Sequence, residues 1–260
     1  MSPLTALVTG ASRGIGQAIT QKLAARGVRV ALHYHQNHAA AAATLAGLPR
    51  HGHAIFPADL AQPAEVERLW REVTAAFGRI DIVVNNAAIY ELHSPLTADF
   101  AAWRSAWQRH LDANLHGPAN LSLLAAQHMA AATHDAAHLH AHGRGRIVNI
   151  SSRGAFRGEP HAPAYGASKA GLNALSQSLA HALAPKQIYV YVIAPGWVET
   201  DMAAPHLHGP RRDEILAGHP LGRVAHTEEV ARSAVFCALD APAAMTGSIL
   251  DVNGASYLRT

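Results

Sequence analysis

A chain of 260 residues, 49% hydrophobic and only 15% charged, can bury a large core, which excludes a disordered protein. Its formal charge of +3 is scattered, with only Arg144/Arg146 and Arg211-Arg212 clustering, so neither a nucleic-acid partner nor a polybasic membrane contact is expected. The single cysteine, Cys237, excludes an internal disulfide framework, and no apolar run approaches the ~18 residues that a membrane span needs. Met1–Gly10 runs directly into a strand and a glycine turn, which leaves no room for a signal peptide and points to a soluble, cytoplasmic protein.

In chain order, Leu4–Thr9, Val28–His33, Ala54–Pro57, Ile82–Asn85, Arg146–Ile150, Tyr189–Ile193 and Ile249–Val252 read as strands. Each is a near-continuous apolar run, the pattern of a strand covered on both faces. Helical stretches alternate with them at Gly16–Arg26, His38–Leu48, Ala64–Phe77, Asp112–Ala132, Ala164–Leu183 and Glu228–Leu239. Cys237, inside the last of these, reads as a buried structural thiol. The alternation predicts one Rossmann-type, doubly wound α/β domain spanning residues 1–260, with about seven parallel strands and helices on both faces. His134–Gly145 reads as a histidine-rich surface loop. Met202–Pro220, with three prolines, reads as an irregular segment able to act as a lid over a strand-end site.

The first strand ends in Thr9-Gly10-Ala11-Ser12-Arg13-Gly14-Ile15-Gly16 and a helix follows at once. Glycines there allow a tight turn and close approach of backbone to a pyrophosphate, and the helix N-terminus offers free N–H groups. Further along stand Asp59-Leu60, Asn85-Asn86-Ala87-Ala88, Asn114, Ser151-Ser152, Tyr165-Gly166-Ala167-Ser168-Lys169 and Pro195-Gly196-Trp197-Val198-Glu199-Thr200. In this order and spacing the motifs resemble the short-chain dehydrogenase/reductase family over essentially the whole chain. One departure is Ala88, where that family more often has glycine.

Tyr165 and Lys169 lie four apart on a predicted helix, so they share a face, and an ammonium beside a phenol is expected to lower its pKa. The resemblance implies a catalytic tetrad of Asn114, Ser152, Tyr165 and Lys169. Ser152 is chosen over Ser151 because the family's serine stands thirteen residues before its tyrosine. It would orient a carbonyl oxygen against Tyr165, while Asn114 would hold a water relaying protons to Lys169. The same resemblance implies a nicotinamide cofactor held by Gly10, Ser12, Arg13, Gly14, Ile15, Gly16, Asp59, Leu60, Asn86, Ala87, Ala88, Tyr165, Lys169, Pro195, Gly196, Val198 and Thr200. Within that set, Asp59 would meet the adenine, Asn86 the ribose and Thr200 the nicotinamide carboxamide.

The second strand ends in His33-Tyr34-His35, all three expected at the cofactor with His33 and His35 beside its phosphate or adenosine; no acid there meets a ribose 2′-hydroxyl, and Arg13 can pair with a 2′-phosphate, so NADP(H) is favoured over NAD(H). The His33-Tyr34-His35 run also resembles pteridine reductases, although Arg13-Gly14-Ile15-Gly16 and Ser152 fit the broader carbonyl-reducing group better. A 3-oxoacyl thioester or a broad ketone is the expected substrate, in a pocket built from Ile89–Pro95, Arg153–Pro160 and Met202–Pro220. A non-catalytic NADPH sensor is the alternative from another class. His134, His138, His140 and His142 lack the cysteine and acidic partners of a zinc framework, so no metal is expected. By resemblance the chain would form a homotetramer, pairing through Asp112–Ala132 and Ala164–Leu183, with Ile249–Val252 at a second interface.

Overall fold

The computed structural model describes residues 3–259; Met1 and Ser2, where the absence of a leader was read, and Thr260 lie outside the described residues. The chain runs β1 (Thr5–Val8), α1 (Gly14–Ala25), β2 (Arg29–Tyr34), α2 (His38–Ala46), β3 (Ala54–Pro57), α3 (Pro63–Phe77) and β4 (Ile82–Asn85). It continues as α4 (Phe100–Leu111), α5 (Gly117–Ala131), α6 (Ala136–His142), β5 (Gly145–Ile150), α7 (Gly154–Arg157), α8 (Pro163–Leu183) and β6 (Ile188–Pro195). The last elements are α9 (Ala204–Leu207), α10 (Arg212–Ala217), α11 (Thr227–Val235) and β7 (Ile249–Val252).

All seven strands pair in parallel, in the order β3-β2-β1-β4-β5-β6-β7. The strand order reverses between β1 and β4, which opens a crevice at their C-terminal ends. Because successive side chains point to opposite faces, each strand feeds two cores. Ala6 and Val8 join Ile19 and Leu23 of α1 and Val230 and Ala234 of α11 on one face. Leu7, Val83, Ile147 and Val190 join Leu69 and Val73 of α3 and Leu121 and Met129 of α5 on the other. This double burial is why the strands read as unbroken apolar runs.

A buried polar chain ties β4 and β5 to the helices above them. Asn85 Nδ2 donates to Ser122 Oγ at 3.1 Å and to Asn149 Oδ1 at 2.8 Å, and Asn149 Nδ2 donates to Ser176 Oγ at 2.7 Å.

Three expectations need correction. Phe100–Leu111 is a helix that apolar periodicity does not announce, because Phe100 is exposed and only Ala106 and His110 are buried; its start is marked instead by Asp99, whose Oδ1 accepts from Ala102 N. It runs through a π-helical turn at Asp112–His116 into α5, so the helix expected to begin at Asp112 begins twelve residues earlier. The expected loop at His134–Gly145 contains α6, capped by Asp135 Oδ1 on His138 N, and His138 is buried. The irregular Met202–Pro220 segment contains α9 and α10, packed on a small core of Ala203, Leu207, Ile215 and Val224. Among the described residues no helix is long and apolar enough to cross a membrane.

Asn149→Ala removes one of the two acceptors of Asn85 Nδ2 and the donor to Ser176 Oγ in a dry site, and is expected to cost about 1–3 kcal/mol in urea unfolding. An unchanged midpoint would show that the chain of amides is not holding the layers.

Candidate active site

A cleft of about 510 Å³ opens at the C-terminal ends of the strands, between the glycine turn, the ends of β4 and β5, and the segment after β6. Gly10 and Gly14 take φ of +63° and +56°, and a Cβ on Gly16 would sit 2.2 Å from the Gly10 carbonyl oxygen. That contact is with backbone, so nothing larger than glycine fits.

The turn is braced from three sides. Thr9 Oγ1 accepts from Asn86 N and Ala87 N, Asn86 Nδ2 donates to Thr9 O at 2.9 Å, and His33 Nδ1 accepts from Gly10 N at 3.1 Å. Since His33 Nδ1 accepts, Nε2 carries the proton and donates to Ala58 O at 3.0 Å. Burial pushes this imidazole down to about 4, so it is neutral. His33 and Asn86 therefore brace the turn while also lining the cleft, and both nitrogens of His33 are engaged within the protein.

The first turn of α1 has neither a side-chain cap nor an acidic residue, and Arg13, exposed at its N-cap, makes no ion pair among the described residues. Free N–H groups, a positive dipole end and an unpaired guanidinium fit a pyrophosphate with a further phosphate beside it. His35 is exposed at the same rim, with Gln36 and Asn37 and no carboxylate among them. Asp59, Leu60, Ala87, Ala88, Pro195, Gly196, Val198 and Thr200 line the cleft as expected, together with Ser12 and Ile15. Tyr34 does not: strand alternation turns it away to a buried, edge-on contact with His38.

Ser152, Tyr165 and Lys169 come together on the cleft floor. Tyr165 lies in the first turn of α8, whose start is positioned by His93 Nε2 accepting from Ala164 N at 3.0 Å. Lys169 is buried one turn on, and its Nζ donates to Ile150 O at 2.8 Å. Burial pulls its ammonium down to about 8. Burial also raises the Tyr165 phenol above its ordinary value, against a smaller lowering by the Ser152 hydroxyl. The expected lowering by Lys169 is therefore corrected: Nζ is turned to the Ile150 carbonyl, 5.9 Å from the phenol ring centre, and loss of water outweighs it. Ser151 Oγ instead donates to Lys169 O.

Asn114 is fully buried beneath this group and does not line the cleft. Its side-chain amide is spent on Ile89, accepting from N at 2.8 Å and donating to O at 3.0 Å, and on Ser168 Oγ. The amide therefore braces the loop at Ile89. Asn114 sits in the π-turn, and Pro118 has no N–H to give the carbonyl four residues back, which is that of Asn114. The spacing of Asn114 and Pro118 was the available signal.

Two of the segments expected to line the pocket, together with Trp197, build an aromatic wall beside Tyr165. Tyr90 packs edge-on against Tyr165 with ring centres 5.0 Å apart, and Trp197 and His206 pack on Tyr90. Beside them Arg153 is lowered to about 10 by burial, and burial raises the carboxyl of Glu159.

Comparison with known proteins places these features among relatives. A family model described as Enoyl-(Acyl carrier protein) reductase matches residues 10–255. The chain is 37% identical over 257 residues to the 3-oxoacyl-(acyl-carrier-protein) reductase FabG of Escherichia coli (strain K12), covering 97% of each. It is 33% identical to the protein of the same description from Staphylococcus aureus (strain Mu50 / ATCC 700699), covering 98% of each. A crystal structure of a short chain dehydrogenase from Burkholderia cenocepacia J2315 in complex with NADP superposes with a TM-score of 0.83 at 31% identity, covering 97% of each chain.

His33 should leave a pH signature. Its folded pKa lies below its unfolded value, so its neutral form stabilises the turn above about 6.5, and that contribution is lost as pH falls toward about 4. Thermal unfolding of His33→Gln is expected to lose less stability than wild type across that interval; identical slopes would remove His33 from the titration.

Proposed function

The chain belongs to the short-chain dehydrogenase/reductase family of nicotinamide-dependent oxidoreductases, and on that premise we propose that it is an NADPH-dependent reductase of 3-oxoacyl thioesters or related ketones. The observation that carries the reading is the meeting of Ser152 and Tyr165 on the cleft floor, with buried Lys169 one turn away. Two adjacent hydroxyls can hold one oxygen, which suits a carbonyl that must become an alcohol.

A bound nicotinamide would supply the hydride; the chain's own groups handle the oxygen and its proton. The uncapped start of α1 and Arg13 would hold the phosphates, and the carboxylate-free rim at His35 would admit a 2′-phosphate. Asp59, in the wall beside it, would meet the adenine, and Thr200 the carboxamide. Ser152 orients the substrate oxygen. Tyr165, kept as a neutral phenol by burial, donates its proton as negative charge develops on that oxygen. Lys169 returns a proton to Tyr165, refilled from solvent through a water on the Asn114 carbonyl.

The names of the two FabG relatives support an acyl thioester substrate. The aromatic wall of Tyr90, Trp197 and His206 favours a second reading, a planar ring substrate such as a dihydropterin or quinone. The segment carrying α9 and α10 would close over either. Exposed Phe100 on α4, Leu123 on α5 and Leu258 beyond β7 support a homotetramer assembled through those surfaces. The lone buried Cys237 suits a reducing, cytoplasmic setting.

The test is NADPH and NADH oxidation against acetoacetyl, crotonyl, dihydropterin, quinone and simple ketone substrates. Faster turnover of the acetoacetyl thioester with NADPH supports the proposal. Preference for the crotonyl thioester would make the enzyme a C=C reductase, and preference for a dihydropterin or quinone would favour the planar-ring reading. Nucleotide binding with no turnover would favour a sensor.

Tyr165→Phe is expected to lower kcat by about 10²–10⁴-fold while dinucleotide affinity stays near wild type. Residual activity close to wild type would remove Tyr165 from the proton transfer. Reduction is also expected to fall as pH rises through about 8, where Lys169 loses the proton it must return. Lys169→Arg, which does not titrate, is expected to shift that fall upward in any activity it retains. A wild-type profile flat across that value would contradict the role of Lys169.

A further inference from the structure

At the opposite end of the sheet from the cleft, α6 lays its histidines over the N-terminal end of β4. Asp81, the residue before β4, is buried, and its Oδ2 accepts from Thr5 N at 2.8 Å and from Thr5 Oγ1 at 3.1 Å. Its Oδ1 lies 3.8 Å from His138 Nε2. The His134 and His138 rings stack with centres 4.2 Å apart, and His142 packs edge-on against His138. One ligand atom each from Asp81, His134 and His138 falls within a sphere where all separations are below 4.8 Å.

Imidazole nitrogens of this cluster are dry and without hydrogen-bond partners. His138 is 5% exposed, and its Nε2, both ring nitrogens of His134 and Nδ1 of His142 are buried with no hydrogen bond. Leaving several imidazole nitrogens unpaired around one carboxylate costs stability unless something fills the space.

We propose that Asp81, His134 and His138 form a binding site for a divalent transition-metal cation of the zinc type, with a fourth position left for water. Two imidazoles and a carboxylate are a donor set that zinc accepts. Tetrahedral coordination at 2.0–2.1 Å sets ligand atoms about 3.3 Å apart, so the group must contract by up to about 1.5 Å. Rotation of the two rings, His138 on α6 and His134 just before its cap, supplies that movement. His134 and His138 are four apart, with Asp135 between them spent on capping the helix.

The cation has a competitor in Arg79, whose Nε sits 2.6 Å from Asp81 Oδ1. That side chain is about a third exposed and can swing into water. The other charged groups facing the cluster are occupied: Arg144 donates to Ala132 O, Arg146 to Cys237 O, and Asp240 pairs with Arg26. His128 Nε2 accepts from Ile80 N. The metal would be structural, stapling α6 to the base of β4, and its test is independent of the proposed reaction.

Tag-free, chelator-stripped protein is equilibrated with zinc chloride, desalted and analysed for metal. One zinc per chain is expected, with a thermal midpoint raised by roughly 5 °C or more at a hundredfold excess over Kd. The double variant His134→Ala/His138→Ala is expected to retain background zinc and show no rise, whereas His140→Ala, on the exposed side of α6, behaves as wild type. Zinc retained by the double variant, or lost on His140→Ala, overturns the site, as does no retention by wild type. If the double variant does not fold, cobalt binding to wild type decides: the intense visible bands of a four-coordinate ion support the site, and the weak bands of a six-coordinate one overturn it.

Discussion

The account depends on the desolvation of two groups one helical turn apart. Lys169 brings an ammonium into the base of the cleft with a single carbonyl, that of Ile150, as its hydrogen-bond partner, and Tyr165 brings a phenol into the same dry space. Removing water disfavours whichever form is charged, so the phenol stays protonated and the ammonium gives up its proton more readily. On the proposed function, the pair would donate a proton to a substrate oxygen and recover it.

The surrounding architecture keeps these groups in place. β5 carries the Ile150 carbonyl and leads straight into Ser151 and Ser152, so the strand that anchors Lys169 also delivers the serine. His93 fixes the first turn of α8 from one side, and the Asn114 amide holds the loop at Ile89 from the other. The glycine turn faces this group across the crevice where the strand order reverses. It is braced by Thr9, His33 and Asn86 before any ligand arrives. Such bracing means that little ordering is left to be done on binding.

The strands were legible because both faces of each are buried, so their apolar runs are unbroken from Ala6 to Val8 and from Ile147 to Val148. Ser152, Tyr165, Lys169 and the glycines were legible because their spacing is set by a single turn or helix. What escaped depended on contacts between distant segments. His33 looks like a phosphate ligand until Gly10 N and Ala58 O are found on its two nitrogens, and Tyr34 looks like a neighbour of the cofactor until strand alternation turns it toward His38. Helix α4 buries too few apolar side chains to show a stripe. The histidines of residues 134–142 look solvated until α6 is seen folded down on Asp81, a residue more than fifty positions away in sequence.

The central claim is that burial holds Tyr165 as a neutral acid, and its ionisation can be read directly. Ring-labelled tyrosine, followed by carbon NMR across a pH titration with Tyr165→Phe to assign the resonance, reports the phenol in the ligand-free protein. The account predicts that Tyr165 remains protonated beyond about pH 10, where a tyrosine free in water ionises. A Tyr165 phenolate already formed near neutral pH would contradict it.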